Sequence, residues 1–407
     1  GGMLVPVTVP PMGHTTLRVH APEHEAAGVE QELHSGSVSS ETPEDGRWSR
    51  EMIIPVSATD DRMENGLITL TLAEDGTITS IYDREFNREV LCGSANRLRM
   101  WEDLPYSWDA WDISHYYRET TPQEAKLVER TLVESGPLRA AIAQRLSIGN
   151  STIEQLIVLE AESKLVRIEN RVEWNESHQH LRVQAEPALQ ALKATYEIQF
   201  GVVSRPTHGN TSWDAAQFEV AGQRFADLSQ ADYGLGIVND CKYGHYIRDG
   251  ILDLTLLRSP KDPDPEADLG LHEFTYGYYP HALGWEASDL LERAHDLNAP
   301  LLVHPVNRAP EVPEASEFAV KGGVVKLDTV KHAENRGDVI VRFYETRGTN
   351  HDVVFQSRRA IKEMQEVTLL EEPMGVKIEL SPGGGSFATD AHLEFKPFQI
   401  RSFRIAW

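Results

Sequence analysis

At 407 residues, with 63 acidic against 39 basic side chains and a formal net charge of -24, the chain is too long for one ordinary core. An acidic field of that size repels phosphate backbones and anionic headgroups, which argues against nucleic acid and membrane surfaces as partners. Two cysteines far apart, Cys92 and Cys241, give no disulfide framework and no CxxC metal or redox motif.

No window approaches the roughly 18 apolar residues that span a bilayer, and the start, GGMLVPVTVPPMG, lacks the basic and apolar regions of a signal peptide. A reducing cytoplasm is the expected compartment, where the Asn-x-Ser/Thr matches at Asn150, Asn175 and Asn210 would be incidental.

Along the chain, short runs of β-branched and aromatic residues separated by Gly, Asp and Asn turns predict packed sheets. VPVTVPPMGHTTLRV is strand-like from the first residues, so its pairing partners are expected upstream. The polar stretch His34 to Gly46 marks a first boundary. In LITLTLAEDGTITSIYD, Ile68, Leu70 and Leu72 share a face at period two, Glu74-Asp75-Gly76 can turn the chain, and Ile78 starts a return strand. A helix is expected around Ser288 to Asn298, where Leu290, Ala294 and Leu297 share a face before Pro300. The Pro-rich stretch Asn298 to Glu317 resists ladder pairing and marks a second boundary. Beyond it, VIVRFYET puts Val339, Val341 and Phe343 on one face and Arg342 and Tyr344 on the other, as in a half-buried strand, and HLEFKPFQIRSFRIAW reads similarly. The expected division is 1–60, 61–300 and 301–407.

The segment richest in chemistry is WEDLPYSWDAWDISHYY, whose seventeen residues hold three Trp, three Tyr, Asp103, Asp109 and Asp112. Aromatic faces cover the C–H patches of a pyranose, and carboxylates accept strong hydrogen bonds from its hydroxyls. If residues 108 to 112 are extended, Asp109 and Trp111 share one face; a helical turn would instead unite Asp109 with Asp112. A retaining glycosidase holds its two carboxyl groups about 5–5.5 Å apart, whereas three residues of strand span about 10 Å, so these two Asp are not expected to be a catalytic pair. As ordinary structure, the same residues would be core Trp and turn-capping Asp.

Other clusters carry weaker signals. NDCKYGHYIRDG contributes Asp240 and Lys242, and LRSPKDPDPEADLGLHEF contributes Arg258 and a run of acids. That run lacks the central Gly and bidentate Glu of an EF-hand loop and reads as a solvated loop rather than a calcium site. Glu176, His178 and His180 in RVEWNESHQH would line one strand face and could chelate zinc, or could simply be solvated. No GxSxG elbow, P-loop or dinucleotide motif occurs.

Taken in order, YSWDAWDISHYY, RVEWNES, RPTHGNTSWDAAQFEV, NDCKYGHY, LRSPKDPDPEADLGLHEFTYGYYPH and VRFYETRG resemble the β-rich C-terminal part of glycoside hydrolase family 38 α-mannosidases of the cytosolic and vacuolar-like branch, over residues 64 to 407. The resemblance implies an all-β fold with very little helix: a large galactose-mutarotase-like β-supersandwich plus smaller β-sandwich domains. It also implies a retaining enzyme acting on mannose-containing oligosaccharides, with its aspartate nucleophile and Zn2+ ligands in an N-terminal α/β part whose motifs are absent here. No catalytic or metal residue carries over. What carries over is a rim that shapes the sugar site: Asp109, Trp111, Asp112 and Arg258, with Asp240 and Lys242 either joining it or holding a turn. Partners are then the oligosaccharide and the N-terminal catalytic part, with homo-oligomers left open. Two alternatives are a free-standing carbohydrate-binding module, and a mutarotase-like or lyase-like enzyme using His178, Glu176 or His272 as acid and base.

Overall fold

In a computed structural model of the chain, the structure describes residues 7, 9, 12–16, 54–308, 314–334 and 337–407. The polar stretch from His34 to Gly46 and most of the first sixty residues lie outside them. Strands dominate, as the alternating patterns require, and every ladder is antiparallel.

The largest element is a nine-stranded sheet running, edge to edge, Gly201–Pro206, Lys193–Ile198, Phe225–Ser229, Tyr233–Asn239, Gly270–Ala282, Val166–Trp174, Ser151–Glu160, Arg139–Ile148 and Lys126–Ser135. Its inner face (Ile142, Ile153, Ile157, Ile168, Val172, Leu235, Ile237, Tyr276 and Tyr278) packs in one continuous core. That core is completed by a six-stranded sheet, supplying Leu98, Leu181, Val183, Leu252 and Leu254, and by a five-stranded one, supplying Ile68, Leu70 and Ile81. The expected hairpin is present as Ile68–Leu72 against Ile78–Asp83, with Gly76 at φ 90° in the turn.

A polar chain runs through the middle of this core, with Gln144 Oε1 its one buried amide atom lacking a partner among the described residues. Gln144 Nε2 and Asn96 Nδ2 both donate to Gln155 Oε1 (2.7 and 2.9 Å), and Gln155 Nε2 donates to Asn170 Oδ1 at 2.8 Å. Buried amides cost little when so paired and fix one register, since a slipped strand would strand them.

The helix Leu290–Asn298, preceded by a 3-10 turn at Trp285–Ala287, covers part of the outer face of the nine-stranded sheet. Leu290, Leu291 and Ala294 pack there with Phe225, Val238, Tyr279 and Trp285, and Leu297 joins them, as the periodicity predicts. The helix approaches closely because Gly236 has no Cβ; one built there would meet Leu290 Cδ1.

The sheet's free edge, Lys126–Ser135, is bulged twice against its neighbour and carries Lys126, Glu129, Arg130 and Glu134 along its length.

A second core (Phe318, Val341, Phe343, Val353, Phe355, Leu393, Phe395, Phe403 and Ile405) sits between a four- and a five-stranded sheet. Val339–Glu345 forms the expected strand, but both its faces are covered. Ile340 packs with Ala333 and Val367, and Tyr344 lies edge-on to Phe200 of the large unit at 5.3 Å. The half-exposed expectation failed because the second layer over this strand comes from a different part of the chain. Arg347 adds to the same junction, donating to Trp285 O (3.1 Å), Ser288 O (2.9 Å) and Glu292.

Phe343 meets Phe355, Phe395 and Phe403 edge-on and has no exposed surface. Phe343→Ala should therefore cost about 3–5 kcal/mol, seen in urea unfolding as an earlier loss of the C-terminal core.

Candidate functional site

Strand registers gather several loops at one end of the large unit. Gln179 lies opposite Glu102, His180 opposite Arg258, and Trp174 opposite Gly270. Segments 103–122, 175–178 and 259–269 therefore leave the sheets together, and Trp174 ties them by donating from Nε1 to Ser259 Oγ at 2.5 Å.

Residues 106–111 are neither strand nor helix. They form a bend and a turn in which Trp111 N donates to Trp108 O at 2.7 Å, and Trp108 adopts φ 59°. The backbone is held by Arg258, whose guanidinium pairs with the buried Asp103 carboxylate and donates to the carbonyls of Asp109 (3.1 Å) and Asp112. The Asp109 carboxylate faces inward. It accepts from His178 Nε2 at 3.0 Å and from the amides of Lys261 and Asp262. Burial would raise its pKa, but these donors outweigh that and hold it below the ordinary carboxylate value. Among the described residues the Asp112 carboxylate receives only its neighbour's amide, Ile113 N, at 2.8 Å. What the mesh pushes into solvent is aromatic: Trp111 is 85% exposed, Trp108 74% and Tyr106 88%.

Of the six residues expected at the rim, Asp109, Trp111, Asp112 and Arg258 thus belong to one hydrogen-bonded unit. Asp240 and Lys242 stand on the next turn. Asp240 Oδ2 accepts from Thr275 N at 2.9 Å, and Lys242 places its ammonium 4.4 Å from the centre of the Phe274 ring. Burial lowers the Lys242 pKa, opposed by Cys241, Asp268 and Asp240. Asp268 joins the two groups, since its Oδ2 also accepts from Arg258 N at 2.9 Å.

The metal readings meet specific obstacles. Glu176 and His178 lie in a turn between strands, and His180 lies in the next strand. Glu176 Oε1 accepts from Asn150 N (2.6 Å) and Ser151 Oγ (2.8 Å), His178 is paired with Asp109, and His180 is buried against Thr255. Burial, aided by Arg182, holds the His180 pKa well below the usual imidazole value. In DPDPEAD, Asp264 caps Glu266 N. Among the described residues no three His, Cys, Asp or Glu side chains group to hold a metal.

A second anchor lies behind the loop, and the sequence reading did not single it out. Arg182 and Asp253, both wholly buried, pair with each other; Asp253 also accepts from Arg118 Nη2 (2.5 Å) and Gln184 Nε2 (2.5 Å). Arg182 forks onto Glu219 at 2.8 and 3.2 Å, and Tyr117 OH closes the circuit by donating to Glu219 at 2.9 Å. Two guanidinium groups face two carboxylates, which ties the end of the tryptophan segment and the segment before Val220 to the six-stranded sheet. The available signal was a pair of opposite charges, Arg182 in LRVQA and Asp253 in ILDLTL, set within otherwise apolar strands.

Residues 63–266, half of the chain, match the family model described as the glycosyl hydrolases family 38 C-terminal domain. The chain belongs to glycosyl hydrolase family 38. Residues 324–403 match this family's C-terminal beta sandwich domain as well. Among its curated relatives are alpha-mannosidase 2C1 of Homo sapiens, 38% identical over 84% of this chain, and alpha-mannosidase G of Dictyostelium discoideum, 35% identical over 84%. The chain spans about a third of the length of each, 33% and 32%. The fold is shared with the crystal structure of an alpha-mannosidase from Enterococcus faecalis: TM-score 0.70 at 17% identity, covering 86% of this chain and 43% of that one.

The loop from Asp103 to Asp112 depends on one guanidinium. Arg258→Ala would leave Asp103, 1% exposed, without its cation, a loss of about 3–5 kcal/mol for a broken buried pair. The expected outcome is faster proteolysis between Leu104 and Ile113, with Arg258→Lys recovering part of the protection because it restores the charge but not the fork.

Proposed function

We propose that this chain is the C-terminal portion of a cytoplasmic, retaining α-mannosidase that removes α-linked mannose from oligosaccharides. In this reading it forms the rim of the sugar site, while the nucleophile and zinc belong to an N-terminal α/β part of the enzyme. The observation that carries it is the 38% identity to alpha-mannosidase 2C1 over 84% of the chain. The exposed cysteines, without a disulfide, fit the compartment, and no helix among the described residues is long and apolar enough to cross a membrane.

Within the rim the six residues divide by role. Trp111 offers a free ring face for the C–H side of a pyranose, and Asp112 has acceptor capacity left for a hydroxyl. Arg258 and Asp109 are occupied by bonds between neighbouring segments, so their part is to fix the shape of the loop. Lys242 is a donor with no carboxylate in contact among the described residues, and Asp240 continues the polar surface beside it. Their contribution is orientation and water exclusion, which accelerate reaction when remote binding energy is used at the reacting centre.

The test joins this chain to the N-terminal part and measures turnover of an aryl α-mannoside and a mannose oligosaccharide. The chain alone should show no turnover, and the joined enzyme should. Trp111→Ala should raise KM for the oligosaccharide by about tenfold, the worth of one aromatic contact of about 1–1.5 kcal/mol, with kcat nearly kept. Robust turnover by the chain alone would refute the assignment of the catalytic groups elsewhere.

A further inference from the structure

After the helix Leu290–Asn298 the chain runs through APLLVHPV, residues 299–306, without regular structure, and Pro300 and Pro305 keep it from continuing as a helix. Four aliphatic side chains there lie in water: Leu301 is 62% exposed, Leu302 83%, Val303 90% and Val306 61%. A single exposed leucine is ordinary, but three such residues in a row make a contiguous patch. The main chain is equally uncommitted. Among the described residues no N–H or C=O from 301 to 306 makes a hydrogen bond within the protein.

The chemistry of the strip narrows what covers it. Aliphatic side chains have neither the ring face nor the polar tip that suits a sugar, and the chain's formal charge of -24 repels an anionic lipid surface. Spacers that stay in water are rich in Gly, Ser and charged residues, whereas residues 299–306 hold no acid and no base other than His304. Such a strip matches apolar protein surface, as in the charge-depleted centre of an interface.

The path of the chain says which protein surface is at hand. Gly13–Thr15 pairs with Glu314–Ser316, so polypeptide leading into Gly13 arrives at the far end of the same connection. Val306 and Glu314 are eight residues apart, a span of at most about 29 Å. The curated relatives are about three times as long as their match to this chain, and both matched domains are C-terminal ones. We propose that residues 301–306 are a docking seam, covered in the whole enzyme by apolar surface of its N-terminal part. The existence of that part rests on the α-mannosidase reading above; the bare aliphatic strip does not.

The experiment compares the 407-residue chain with the joined enzyme, in which the N-terminal part precedes it, by limited thermolysin digestion and amide hydrogen exchange over residues 301–306. The chain alone should be cut there and exchange fast, and the joined enzyme should be cut at least about tenfold more slowly. Leu302→Asp combined with Val303→Asp should leave the melting temperature of the chain unchanged, because both side chains are in water, and should abolish the protection in the joined enzyme. Leu302→Met combined with Val303→Ile should keep it. Equal cutting of chain and joined enzyme, or protection that survives the two Asp substitutions, overturns the proposal. So does a chain that is already protected or is destabilised by the Asp pair; light scattering then tells whether its own residues cover the strip, as in a monomer, or a second copy does. A joined enzyme that hydrolyses an aryl α-mannoside with the strip still open overturns the seam and leaves the mannosidase reading. A protected strip in a joined enzyme without turnover leaves the seam and sinks that reading.

Discussion

Everything in the large unit follows from the need to cover the inner face of a nine-stranded sheet. A sheet that wide cannot leave Ile153, Ile157, Ile168 and Val172 in water, and no single partner sheet among the described residues matches its width. The six- and five-stranded sheets divide the task, and the helix Leu290–Asn298 takes part of the other side. Loops must then leave and re-enter the layers at common ends, and at one such end the sequence places its aromatic and acidic residues.

Covering the sheet fixes where the loops start, but not their shape. Two charge systems do that. Arg258 reads a buried carboxylate and two carbonyls of one loop at once, a geometry that a fork of N–H donors can satisfy and a point charge cannot. Behind it the Arg182, Asp253, Arg118 and Glu219 group ties two segments to the sheet. Buried ion pairs add little net stability over apolar packing, but they penalise every arrangement that separates the partners. The result is a loop whose aromatic rings stay in solvent while its backbone is fixed.

Local order was legible because it is written at short range. The hairpin from Ile68 to Asp83 follows from period two and an Asp-Gly turn, and the helix before Pro300 from three apolar residues on one face. The loop's aromatic and acidic composition was legible, but its shape was not. The turn at Trp108 to Trp111 is set by Arg258, about 150 residues away, and no spacing rule reaches that far. Likewise Glu176, His178 and His180 look like one strand face until a turn intervenes and each finds a different partner: Ser151, Asp109 and Thr255. Tyr344 was misjudged for the same reason, since the layer covering it comes from Phe200.

The twice-bulged edge strand Lys126–Ser135 has a consequence for how the molecule lives among its own copies. Ten residues of extended backbone at the margin of so wide a sheet would otherwise be a template on which another chain could add a strand. The bulges break the regular spacing of the free N–H and C=O groups, and Lys126, Glu129, Arg130 and Glu134 line the same margin with charge. That edge of the sheet therefore resists the addition of a strand from another copy.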